Sequence, residues 1–72
     1  MRMVMTTQTP DADGKLVIHE PRTLTGFDGR EWPNPLPPLD YPVRVYGTGR
    51  AYLGTVVALD QEQHTYTVEV NA

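Results

Sequence analysis

The chain has 72 residues, with 6 Lys plus Arg, 9 Asp plus Glu and a formal net charge of -3. That length holds one domain at most and hides only about 60% of the unfolded surface, so the core is small. Cysteine is absent, which excludes disulfides, thiolate chemistry and cysteine-ligated zinc or iron–sulfur groups. No apolar run approaches the roughly 20 residues of a membrane-spanning helix. No basic block is present to neutralise several phosphates at once. The polar run Thr6-Thr7-Gln8-Thr9-Pro10 stands where a signal peptide would need an apolar stretch, so the expectation is a cytoplasmic chain with no membrane partner.

Residues 1–12 offer little to bury and are expected as a disordered tail. Residues 13–72 then form one small β domain. Lys15-Leu16-Val17-Ile18-His19 is a strand rich in branched side chains, closed by Pro21. Thr23-Leu24-Thr25 is a brief strand before the turn signal Asp28-Gly29. Residues 32–42 carry five of the seven prolines, which fixes them as extended. Trp32, Leu36, Leu39 and Tyr41 in that run mark it as a wrap across the domain rather than a loose linker.

The last thirty residues alternate most clearly. Val43 to Tyr46 is a strand, the segment Gly47-Thr48-Gly49-Arg50 turns, and residues 51–59 form a long strand. A turn at Asp60-Gln61-Glu62-Gln63 leads to a final strand, with Tyr66, Val68 and Val70 facing inward and Thr65, Thr67 and Glu69 facing water. The middle strand is apolar on both faces. It is therefore either covered twice or bulged near Val57, which would turn both Val56 and Leu59 inward, with Gly54 at the bend. The fold class is all-β: a small partly open barrel, or a three- to four-stranded antiparallel meander with a proline-rich extended segment.

The run from Val43 to Tyr46, the run Tyr52-Leu53-Gly54-Thr55-Val56-Val57-Ala58-Leu59 and the run Tyr66-Thr67-Val68-Glu69-Val70 resemble the central strands of small SH3-like barrels of the Tudor and KOW type. The resemblance covers residues 43–70. It implies a barrel of a kind that mostly binds proteins, methylated side chains or nucleic acid and rarely catalyses.

Catalytic chemistry finds little to use. His19 and His64 lie on separate segments without metal-ligand spacing, and serine is absent. The Gly-Thr-Gly-Arg segment has no helix behind it to bind phosphate. No enzyme activity, metal or cofactor is expected. Large amphipathic side chains are common interface anchors, so the partner-binding candidates are Trp32, Leu36, Tyr41, Tyr46, Arg50 and Tyr52. Convergence of Tyr41, Tyr46 and Tyr52 would make a cation cage. The expected function is a non-enzymatic protein-binding module, of the kind that bacteria and phages use as accessory or inhibitory proteins against a larger host protein. The alternatives are nucleic-acid contact through Arg44, Tyr46 and Arg50, or a structural homo-oligomer that uses both faces of residues 51–59; self-association as a dimer through residues 51–59 or the 32–41 run is also expected.

Overall fold

The computed structural model describes residues 1–47 and 49–70, which leaves Thr48 of the expected Gly47–Arg50 turn outside the described residues. Seven strands follow one another: β1 (Arg2–Met5), β2 (Lys15–His19), β3 (Thr23–Thr25), β4 (Glu31–Pro33), β5 (Pro42–Gly47), β6 (Arg50–Asp60) and β7 (Thr65–Val70). Five of them form one sheet in the order β1-β5-β6-β7-β2, and β3 and β4 form a separate pair. The large sheet curls into a half-barrel, consistent at a coarse level with a small SH3-like fold.

The expected meander is β5-β6-β7, antiparallel throughout, and β2 extends it along the outer edge of β7. Its concave face holds the core. Leu16, Ile18, Val43, Val45, Val56, Tyr66 and Val68 are buried there, with Val4, Leu36, Tyr41, Tyr52 and Val70 packed around them. The register between β6 and β7 slips between Val56 and Ala58, which places a bulge at Val57. Val56 pairs with Val68 before it and Leu59 with Tyr66 after it. Val56 is buried in the core, but Leu59 stays exposed as Leu53 and Val57 do, so the bulge does not bury Leu59 as expected: it lies near the end of β6, outside the core cluster.

Three further expectations are corrected. The first concerns residues 1–12, which are not a tail throughout: Arg2–Met5 is a strand, parallel to β5 in the register Arg2↔Val43 to Met5↔Tyr46. Val45 is an apolar position that one neighbouring strand alone would leave open, and Val4 opposite it supplies the cover. The second correction is Thr65, which is buried rather than solvated: it starts β7 next to the buried His64 and is paired with His19 and Asp60. The third is the proline-rich wrap, which is partial. Leu36, Pro37 and Tyr41 dock on the core side, whereas Trp32 and Leu39 are exposed.

Candidate protein-binding hairpin and its anchor

The sequence Thr23-Leu24-Thr25-Gly26-Phe27-Asp28-Gly29-Arg30-Glu31-Trp32-Pro33 builds a short arm. Gly26 N–H donates to Arg30 O at 2.8 Å and Gly29 N–H donates to Gly26 O at 3.1 Å. Gly29 has φ 80°, the left-handed position that a three-residue hairpin loop requires. Asp28 Oδ1 accepts from the Arg30 N–H at 3.0 Å and fixes the loop. Leu24 and Trp32 are direct cross-strand partners, so they share one face. A side chain at Gly26 would meet the Trp32 indole nitrogen at 3.2 Å; the missing side chain lets the indole lie along the turn.

Among the described residues this arm pairs with no other strand, and its apolar side chains stay largely exposed. Leu24 is 50% exposed, Trp32 is 56% exposed, and Phe27 projects fully from the loop tip. The chain's one Trp and one Phe are therefore both spent outside the core. Trp32 should accordingly emit as a water-exposed indole and be quenched fully by acrylamide. A blue-shifted, shielded emission would show that the arm folds back on the sheet.

The base of the arm is fastened by polar contacts. Asn34 N–H donates to Arg22 O at 3.0 Å, which continues the hairpin ladder to its root. The Asn34 side-chain amide donates to Pro21 O at 2.9 Å and to Glu20 Oε2 at 3.3 Å. His64 Nε2 donates to Asn34 O at 2.8 Å, and His64 itself is buried. His64 holds φ 55°, a left-handed conformation unfavourable for a side-chain-bearing residue that the anchored ring and the Glu20 N–H to His64 O bond at 3.2 Å hold in place. Arg22 reaches across to Glu62 O.

Glu20 joins this anchor to the core. Its Oε1 accepts the Tyr66 hydroxyl at 2.9 Å and lies 3.4 Å from Arg2 Nη1. Arg2 also donates to Pro35 O at 3.2 Å and lies 5.8 Å from the Tyr66 ring centre. Burial first, and then the hydrogen bond to and charge of Glu20, push the Tyr66 hydroxyl well above the ordinary phenol range, with Arg2 opposing. The folded state therefore keeps this proton where the unfolded chain would release it. Stability from this group is fully present below the unfolded value near pH 10 and falls as pH rises beyond it. Tyr66→Phe should cost about 1–3 kcal/mol at neutral pH and flatten the fall in melting temperature above pH 10, read by circular dichroism against pH. An unchanged alkaline slope would remove Tyr66 from the anchor.

The other sequence candidates are dispersed. Val45 pairs with Tyr52, and Tyr46 pairs with Ala51. Alternation therefore sends Tyr52 to the concave side and Tyr46 to the convex side. Tyr41 packs at the core and its hydroxyl accepts from the Met1 amine at 3.3 Å, so the three tyrosines form no cage. Arg50 donates to the Tyr52 hydroxyl at 3.4 Å, a bond that raises the already high guanidinium value further. Arg44 and Tyr46 share the convex face, with Tyr46 donating to Met3 Sδ at 3.9 Å, while Arg50 belongs to the opposite parity. Leu36 is half-buried under the arm's exit. Among the described residues no three His, Asp or Glu side chains come together as metal ligands, and no helix is long and apolar enough to cross a membrane.

Of the exposed apolar residues on the arm, Trp32 is among the sequence candidates, whereas Leu24 and Phe27 are not. The signal for Phe27 was present: between Gly26 and Asp28-Gly29 it falls in a loop, where no strand face can bury it. Comparison of the chain with protein-family models, with curated proteins and with solved structures finds no match.

Proposed function

We propose that the chain is a non-enzymatic protein-binding module whose contact element is the β3–β4 arm. The observation that carries this reading is the exposure of Leu24, Phe27 and Trp32 together on a hairpin whose root is fixed by buried polar contacts. A fixed root with an unpacked apolar tip limits the ordering cost of binding and leaves the burial energy for the partner. Large aromatic side chains supply most of the energy in such contacts. The complementary surface is an apolar pocket on a larger protein, which suits an accessory or inhibitory role of the bacterial or phage kind.

The test is affinity capture from extracts of the source cells with the wild-type chain and with the double variant Phe27→Ser, Trp32→Ser. Both side chains are exposed, so the variant should keep its melting temperature within a few degrees. A partner held by the wild type should bind the variant at least about thirtyfold more weakly. Equal capture by both chains would remove the arm from the interface. Retention on an oligonucleotide column with a steep salt dependence would instead favour the Tudor- or KOW-like nucleic-acid reading through Arg44 and Tyr46.

A further inference from the structure

The half-barrel stops short of closure between its two outer strands, and those edges face one another. Strands β1 and β2 terminate the sheet, and Met3, Val4, Met5, Thr6 and Gln8 of one side and Val17, Ile18, His19 and Glu20 of the other line a single cleft of about 380 Å³. The hydrogen-bond parity of each edge follows from its paired side. Thr6 N–H donates to Tyr46 O at 2.9 Å, so the even residues of β1 turn their backbone to β5 and Met3 and Met5 turn theirs away. Glu20 N–H donates to His64 O and Val70 N–H donates to Gly14 O at 2.7 Å, so Lys15, Val17 and His19 turn theirs to the free edge.

Asp11 already satisfies Lys15: its N–H donates to Lys15 O at 3.0 Å, and its Oδ1 accepts from Lys15 N–H at 2.9 Å. Among the described residues nothing occupies the outward backbone groups of Met3, Met5, Val17 and His19. Two unpaired edges flanking one cleft are the arrangement that an added strand satisfies on both sides at once.

We infer that the β1–β2 cleft accepts an extended peptide segment of a partner protein as a sixth strand that closes the barrel. The segment's chemistry is set by the walls. Its backbone must offer N–H and C=O groups on both edges, and its alternate side chains must be apolar to lie against Val4 and Ile18 on the core side. Strand spacings give each residue a volume of roughly 160 Å³, so the cleft itself holds about two to three residues. Because β1 runs parallel to β5 and β2 antiparallel to β7, the two edges run in opposite directions. The incoming strand is thus antiparallel to one edge and parallel to the other. A second copy of this chain is poorly equipped to fill the cleft: its extended run outside the strands includes Pro35, Pro37 and Pro38, which have no N–H to donate. Exposed Met3 and Met5 at the rim are adaptable side chains suited to varied segments.

The experiment uses the full chain and two synthetic eight-residue peptides of alternating valine and threonine. One is unmodified; the other is N-methylated at every second amide, which removes half of its donors. The unmodified peptide should slow amide exchange at Met3, Met5, Val17 and His19 together, and the methylated one should bind at least about tenfold more weakly. Trp32→Ala should leave both affinities unchanged, which separates this cleft from the arm. Equal binding of the two peptides, protection of one edge only, or no protection at about 1 mM peptide would overturn the proposal. Protection that grows with protein concentration in the absence of peptide would overturn it in favour of a second copy.

Discussion

Replacing Gly54 with alanine should destabilise the chain by about 2–4 kcal/mol and leave much of it unfolded at 37 °C. Gly54 lies mid-strand in β6, paired with Val43 on one side and Val70 on the other. A β-carbon built there would stand 2.5 Å from the Glu69 carbonyl oxygen and 2.7 Å from Val68 Cγ1. The oxygen belongs to the neighbouring strand's backbone, so relief requires β6 and β7 to separate where Val56 and Val68 fill the core. A domain this small holds only a few kcal/mol in reserve, so a loss of that size approaches the whole. Urea denaturation followed by circular dichroism measures it. A midpoint unchanged from wild type would mean that β7 can yield at Glu69 without cost.

Deleting residues 1–5 should cost about 3–5 kcal/mol, counting the β1–β5 hydrogen bonds and the burial of Val4. The deletion strips the outer edge of β5, where Arg2 to Met5 pair with Val43 to Tyr46. It also removes Arg2 from Glu20, Pro35 O and the Tyr66 ring face. Two losses therefore coincide: cover for Val45 and a cation beside the partly buried Glu20 carboxylate. A deletion of residues 7–9, which carries neither, should be tolerated with a change under about 1 kcal/mol. Comparable melting temperatures for the two deletions would contradict the role given to β1.

The difference between β1 and the other strands shows what a sequence of this kind makes legible. Strands β5 and β7 alternate, β2 and β6 are rich in branched apolar residues, and all four are joined or bounded by turn residues, so local pattern finds them. The bulge at Val57 was readable too, because no regular strand gives residues 51–59 a single apolar face. β1 is only Arg-Met-Val-Met, has no turn to its partner and pairs in parallel with a strand about forty residues away. No local signal encodes such a contact. Gly54 was assigned to a bend, but the bend is at Val57 and the glycine marks instead a close approach of two backbones.

The arm proposed for binding was half legible for a related reason. Trp32 reads equally as core or surface when its strand has three residues, since alternation over Glu31–Pro33 is too short to say which face is covered. The anchor of Arg2, Glu20, Asn34, His64 and Tyr66 brings together residues from four separate segments, and only the curled topology places them in contact. Sequence distance hides it.

Photocrosslinking from the arm tip addresses the central claim most directly, because it reports contact at a single residue. A benzophenone side chain is introduced in place of Phe27 and, as a control, in place of the exposed Asp13 at the far turn, and each chain is irradiated in extracts of the source cells. The expected result is one discrete adduct from position 27 that is absent from position 13 and is lost when Trp32→Ser is added. Adducts of the same pattern and yield from both positions, or none from position 27 at any concentration, would contradict it.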